Sequence, residues 1–375
     1  MRLLHVTSGN LFGGVESFLT ALASQDGAAP GLGRHFALCF EGRLSDSLRR
    51  CGATVHPLGG VRFSRPWTVW GGRRRLKGVL ARTRFDAVMC HGCWPHAVFA
   101  PAARACGLPL VFWCHDAPTG RHWLERWARR TPPDLVLANS RWTLGAVPNL
   151  FPDVPAETLY LPVPAPALTC REEVRRRVRA ALDTPEEAVV VVQTSRLERW
   201  KGHALLLQAL AKLAPVPGWV CWIAGGAQRP HEEEYLAELR GAAARDGIAD
   251  RVRYLGHRSD VPELLSAADV HCQPNTGPEP FGVAFVEALY AGLPVVSTAM
   301  GGALEVVDEA CGVLVPPGRA DLLASALDGL IRDGDRRRRL GAAGPARARE
   351  LCDPAAQLGR LRDLMAAVVA QGCVA

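Results

Sequence analysis

The sequence predicts an α/β protein built of two doubly wound parallel-sheet domains. Three observations carry that expectation. Short β-branched runs alternate with longer amphipathic stretches along almost the whole chain, as repeated βαβ units require. The chain has 375 residues, more than one hydrophobic core normally serves. The alternation breaks once, at Pro162-Val163-Pro164-Ala165-Pro166, where proline stiffens the chain and cannot join a central strand. The segment reads as a linker, with one domain over 1–165 and a second beginning at 166.

The elements follow in order. An apolar run at 3–7 reads as a first buried strand and is too short for a signal peptide. Further strands are expected at 35–40, 54–58, 87–90, 110–114, 135–138 and 158–161, with helices among them at 15–24, 68–83 and 121–130. Past the linker the pattern restarts with a fully apolar strand at 189–194 and a helix at 204–213. Strand 219–224, helix 232–244, strand 252–255, helix 261–267, strand 270–273 and helix 283–291 come next. Strands at 295–297 and 312–315 precede an arginine-rich helix at 336–351 and a more apolar one at 354–370. Two such domains place a crevice between the carboxyl ends of their strands, where a ligand is expected.

Composition excludes several classes. With 48% hydrophobic and 22% charged residues the chain is neither disordered nor collagen-like. No apolar run approaches the roughly 18–20 residues that cross a bilayer, so a cytoplasmic location is expected. The 12 cysteines are scattered among apolar neighbours, as small buried hydrophobes are. Cys90-His91-Gly92-Cys93, with His96 nearby, has a metal or redox spacing, but no second CxxC completes four ligands. It reads as the end of a buried strand and its loop. The net charge is +7, and two basic stretches, 67–77 and 121–130, combine arginine with tryptophan. Such stretches lie peripherally on anionic membranes or form solvated faces over apolar surface, and both readings stay open. Nucleic acid is not an expected partner, because the basic residues are dispersed and no reader motif appears.

Two loops carry the candidate chemistry. Ser195-Arg196-Leu197-Glu198-Arg199-Trp200-Lys201-Gly202 follows an apolar strand and, in an open α/β sheet, faces the crevice. Arg196 can fork onto phosphate oxygens and Lys201 supplies a compact charge, so together they could hold a diphosphate. The second loop, Pro274-Asn275-Thr276-Gly277-Pro278-Glu279-Pro280-Phe281-Gly282, leads into a helix start near Val283. The N–H groups of such a start favour anions. Glu279 can accept hydrogen bonds from sugar hydroxyls, and Glu287, eight residues on, could reach a ribose diol.

These motifs resemble those of the family-4 retaining glycosyltransferases of GT-B fold, which pair two Rossmann-like domains. Glu279-x7-Glu287 is similar to that family's hallmark. So, in the same order, are Arg196-x4-Lys201-Gly202, Gly225-Gly226, Leu255-Gly256 and Gly301-Gly302-x-x-Glu305. Gly13-Gly14-Val15-Glu16 and His115-Asp116 resemble its first loop and its strand-end histidine, more loosely. The resemblance spans most of the chain, is strong from 189 to 320 and weakens between 25 and 110. It implies that Arg196 and Lys201 bind the donor diphosphate. Glu279, with backbone N–H groups of Phe281 and Gly282, would bind the sugar, and Glu287 the ribose. His115 would contact the sugar near the reacting carbon. Gly13, Gly14, Gly225 and Val283 belong to the implied donor-binding loops. The resemblance also implies that 355–375 crosses back onto the first domain, which leaves 166–354 as the second.

The implied reaction is retaining transfer of a hexose from a nucleotide sugar, UDP ahead of GDP, to a glycan, lipid-linked or small-molecule acceptor. Cations and helix N-termini aimed at the departing diphosphate lower the barrier, each worth on the order of 3–4 kcal/mol. No DxD pair lies between a strand and a loop to offer a metal site, and no separate cofactor is expected. A dehydrogenase would need G-x-G-x-x-G after the first strand, which residues 8–14 do not supply. A GT-B relative with epimerase or glycogen-type synthase chemistry, and a non-catalytic sugar-nucleotide binder, remain as alternatives.

Overall fold

Two parallel sheets organise the computed structural model, which describes residues 1–10, 13–24, 32–167 and 170–372. The first sheet contains β1 (Leu3–Thr7), β2 (His35–Leu38), β3 (Thr54–Pro57), β4 (Ala87–His91), β5 (Leu110–Cys114), β6 (Leu135–Ala138) and β7 (Ala156–Thr158), in the order β3-β2-β1-β4-β5-β6-β7. The second contains β8 (Val189–Thr194), β9 (Trp219–Ala224), β10 (Val252–Gly256), β11 (Val270–Gln273), β12 (Val295–Thr298) and β13 (Gly312–Val315), in the order β10-β9-β8-β11-β12-β13. Helices cover such sheets on both faces, so their central strands are buried throughout and read as unbroken apolar runs. β8, Val-Val-Val-Val-Gln-Thr, is buried at every residue. In each sheet the strand order reverses once, between β1 and β4 and between β8 and β11. Ligands of open α/β sheets bind beside such reversals, at the carboxyl ends.

The chain divides into two compact units, one of Met1–Pro164 plus the chain from Cys352 onward, the other Ala165–Leu351. The division falls inside the proline segment. The last helix, Pro354–Gly372, belongs to the first unit, where Leu358, Leu361, Met365 and Val368 are buried. There the Val163 N–H donates to the Cys352 carbonyl at 3.0 Å, and Arg360 meets Glu157 at 3.2 Å. Residues 373–375 of the expected crossing lie outside the described residues.

A buried cation fixes the entry of the second unit. Arg179, on helix Arg171–Ala181, is 1% exposed. Its guanidinium donates to the carbonyls of Ala267, Pro185, Glu186 and Ala188, and to Asp269 at 2.6 Å. Asp269 also receives Arg175 at 2.9 Å and the Val190 N–H at 2.7 Å. A buried charge is tolerated when it is paired and each of its nitrogens finds an acceptor, as here.

Some boundaries differ from expectation. The strand expected at 158–161 is instead β7 at Ala156–Thr158. A short edge strand needs no apolar run, and the Leu159 N–H still donates to Ala138. The strand expected over 35–40 stops at Leu38 because the Cys39 and Phe40 N–H groups both turn to the Ser8 carbonyl. The helices given no span from sequence include Arg43–Arg50, Cys93–Arg104 and Arg171–Ala181. The first and third are short and mostly charged. The second is apolar nearly all round and contains Pro95 and Pro101, so its period is hidden.

Candidate active site

The second unit brings its two candidate loops together. The loop after β8 and the loop after β11 leave neighbouring strands at the reversal, and Lys201 Nζ donates to Glu279 Oε2 at 2.6 Å. Both side chains are nearly buried, 12% and 10% exposed. Glu279 Oε2 also accepts from Gln273 Nε2 at 3.1 Å and Asn275 Nδ2 at 3.0 Å. Gln193 Nε2 in turn donates to the Lys201 carbonyl at 2.8 Å, and the ammonium sits 4.0 Å from the centre of the Trp200 ring. Arg196 lies in the same loop but pairs with Glu198 at 3.0 Å and remains 36% exposed. The two cations expected to act as a pair thus have separate acidic partners. Gln193, Gln273 and Asn275 were not singled out from sequence. The signal was available, since Gln193 and Gln273 stand at the ends of two buried strands.

Glycines make the approach of these loops possible. Gly202 has φ +77°, and a Cβ there would fall on the Pro274 carbonyl oxygen. That proximity lets the Thr276 N–H donate to the Trp200 carbonyl at 2.8 Å. Gly225 lies against the Ser195 carbonyl in the same way, and its N–H donates to Gly256 at 2.9 Å. Gly301 and Gly302 lie flat on the backbone of Glu279 to Phe281, with the Gly302 N–H donating to the Glu279 carbonyl at 2.6 Å. Five strand-end loops are therefore stitched main chain to main chain.

Gly282, at φ +102°, starts helix Val283–Tyr290. The Phe281 side chain is buried, so only its backbone is placed to serve a ligand. Glu287 sits half-buried in that helix, and burial pushes its carboxyl up to about 7. Among the described residues its carboxylate makes no hydrogen bond.

The first unit presents different chemistry at its reversal. His115 follows β5, His91 ends β4 and His5 lies in β1. Leu32 O meets His5 Nε2 at 2.6 Å, His5 Nδ1 meets His91 Nε2 at 3.0 Å, and His91 Nδ1 meets His115 Nε2 at 3.0 Å. Burial lowers all three, His5 to about 4, His115 to about 3 and His91 well below its ordinary value, so they are neutral. Sequence reasoning found His115 but neither partner. Gly13 and Gly14 lie where helix Gly14–Ser24 begins, and the Gly13 N–H donates to Glu16 at 3.0 Å. Cys90 and Cys93 are free thiols whose pKa burial raises, Cys93 to about 12. No group of three or more His, Cys, Asp or Glu among the described residues is arranged to hold a metal ion.

The two basic stretches also separate. On helix Pro66–Arg82, Trp67 and Trp70 are 68% and 66% exposed and share one stripe with Arg74 and Lys77. Arg73 and Arg75 instead hold carbonyls, of Ala97 and Val98 and of Leu58 respectively. In the second stretch Trp127 packs on Phe63 with ring centres 4.8 Å apart. No helix among the described residues is long and apolar enough to cross a membrane.

Known proteins resemble the chain over both units. The family model described as Glycosyl transferases group 1 matches residues 174–347, and that described as Glycosyltransferase Family 4 matches 12–163. A GDP-mannose-dependent alpha-(1-6)-phosphatidylinositol monomannoside mannosyltransferase of Mycobacterium tuberculosis is 32% identical over 297 residues, 72% of this chain and 73% of that one. A D-inositol 3-phosphate glycosyltransferase of Xylanimonas cellulosilytica is 34% identical over 72% of this chain and 64% of its own. The crystal structure of Anabaena Alr3699/HepE in complex with UDP-glucose superposes with a TM-score of 0.87 at 25% identity, covering 98% of this chain and 100% of that one. The chain belongs to glycosyltransferase family 4 and carries its two-domain GT-B fold.

Proposed function

We propose that this glycosyltransferase moves a hexose from a nucleoside diphosphate sugar, UDP ahead of GDP, onto a glycan, lipid-linked or small-molecule acceptor. Transfer retains anomeric configuration and requires no metal ion. The observation that carries the reading is the Lys201–Glu279 contact at 2.6 Å, which joins two motifs 78 residues apart at a strand-order reversal. The HepE structure that superposes on the chain holds UDP-glucose, and the mycobacterial relative is named for GDP-mannose. The first covers nearly the whole chain, which favours uridine.

In this reading the donor's anomeric C–O bond breaks and a new bond forms to an acceptor hydroxyl. The acceptor proton passes to the departing phosphate oxygen. Negative charge grows on the diphosphate, where Lys201, Arg196 and the N–H groups at Phe281–Val283 meet it. Arg196 exchanges Glu198 for phosphate. Glu279, held by Lys201, Gln273 and Asn275, keeps its other oxygen, Oε1, for sugar hydroxyls. Glu287 takes the ribose diol, Gly13 and Gly14 admit a close backbone approach, and His115 contacts the sugar.

A thermal-shift panel of UDP-, GDP- and ADP-sugars tests the donor, since a ligand that binds only the folded state raises the melting point. A UDP-sugar should give the largest shift; a larger GDP-sugar shift would reverse the assignment. Product anomers read by NMR test retention, and undiminished turnover after exhaustive chelation tests metal independence.

The Trp67–Trp70–Arg74–Lys77 stripe suits the surface of an anionic membrane, with rings at the headgroup level and cations toward lipid phosphate. Trp67→Ser with Trp70→Ser should abolish flotation with phosphatidylglycerol vesicles. Absence of flotation by the unaltered protein would end this part of the reading.

A further inference from the structure

The three histidines of the first unit are joined end to end, and one end is fixed. The Leu32 carbonyl can only accept, so His5 Nε2, 2.6 Å away, carries the proton. A neutral His5 then has a bare Nδ1, and the His91 nitrogen 3.0 Å from it must be the donor, Nε2–H. His91 Nδ1 is thereby an acceptor, and the His115 nitrogen facing it at 3.0 Å must also be Nε2–H. What remains is His115 Nδ1, a bare lone pair. That atom is buried and meets no hydrogen-bond partner among the described residues. Burial keeps all three rings neutral, as the logic requires.

We propose that His5 and His91 are positioning residues that set the tautomer of His115, so that its Nδ1 accepts a hydrogen bond from a hydroxyl of the transferred sugar. This rests on the proposed reading that His115 meets that sugar. The relay makes the site selective: a hydroxyl can donate to a bare nitrogen, whereas a carboxylate or carbonyl oxygen in the same place meets a second lone pair. The assignment depends on sheet order, because only β1, β4 and β5 side by side place the three rings in line.

Long-range proton–nitrogen NMR of the full-length protein reads each ring's tautomer without any substrate. His96, whose Nε2 meets the Thr131 carbonyl at 2.7 Å, is an internal standard for the Nε2–H form. His115 should match it, and an Nδ1–H signal for His115 would overturn the proposal. His91→Phe removes the acceptor and should leave His115 in mixed tautomers, with transfer down about tenfold, the worth of one hydrogen bond. His91→Gln offers one donor and one acceptor and should restore both the single tautomer and most of the rate. An unchanged His115 spectrum in His91→Phe would remove His91 from the relay.

A series of donors each lacking one sugar hydroxyl completes the test. One of them should lose the difference between wild type and His91→Phe; if none does, the hydroxyl contact is wrong even with the tautomer as proposed. Should the wild-type protein turn over no nucleotide sugar, the underlying reading fails, and the spectra still decide the tautomer separately.

Discussion

The carboxyl edges of the two sheets share a topology and differ in chemistry. Each sheet reverses between its first strand and the strand that follows the outer pair, and each sends its candidate residues from the loops beside that reversal. At the second sheet the residues are ionic, Lys201 with Glu279 and Arg196 with Glu198, and Glu287 sits half-buried nearby. At the first they are neutral rings joined nitrogen to nitrogen. Equivalent scaffolds are thus specialised by the residues that end their strands, as expected where function sits on a fold rather than in it. An ionic edge suits a leaving diphosphate; a neutral one suits sugar hydroxyls.

Removing the ammonium is the strongest way to break this contrast. Lys201→Ala should lower kcat on the order of 10²–10³-fold, measured by steady-state transfer with saturating donor. Its loss also strands a nearly buried carboxylate, so Glu279→Gln in the same chain should recover thermal stability but not rate.

The glycines give the next largest effect. Gly202→Ala must move the Pro274 carbonyl and leave a left-handed backbone, which should cost about 2–3 kcal/mol in denaturant unfolding. Gly107, in the turn after helix Cys93–Arg104 of the first unit, has φ +70° with nothing within 4 Å of its missing Cβ, and Gly107→Ala should cost only about 1 kcal/mol. Equal costs would erase the difference between a stitched glycine and an open one.

Arg196→Ala should lose about tenfold in kcat/KM, less than Lys201, because the solvent that reaches a partly exposed cation screens it. A loss matching that of Lys201→Ala would make the two cations equivalent after all.

Glu287 supplies the smallest and most specific effect. Below pH 4.5 its carboxyl is protonated folded or unfolded; between 4.5 and about 7 only the unfolded chain releases the proton, so stability falls as pH rises. Glu287→Gln removes that slope. Its unfolding free energy in denaturant should match wild type near pH 4 and exceed it above pH 7, by about 1 kcal/mol once partial exposure is allowed for.

Much of the second sheet's edge was legible because its motifs are local. Glu279 and Glu287 stand on one loop and the helix it opens, and Arg196 to Gly202 is a single segment. That Lys201 is held by Glu279 rather than paired with Arg196 was not legible, since it depends on β8 lying beside β11. The histidine relay was hidden for the same reason: His5, His91 and His115 are far apart in sequence, and His91 stood out only within a cysteine spacing. Strands announced themselves through β-branched runs, whereas Cys93–Arg104 did not read as a helix because a uniformly apolar helix has no period to detect.

The stitched loops have a practical corollary for anyone redesigning this catalyst. Positions 202, 225 and 301 admit no added carbon without displacing main chain, so random libraries that include them will be dominated by dead clones. Gly256 ends β10 on the same rim with φ +63°, and a methyl group added there would meet no atom within 4 Å. Asparagine tolerates that backbone region best after glycine. Diversification of this rim should therefore start at 256 and spread outward, leaving the three crowded positions untouched.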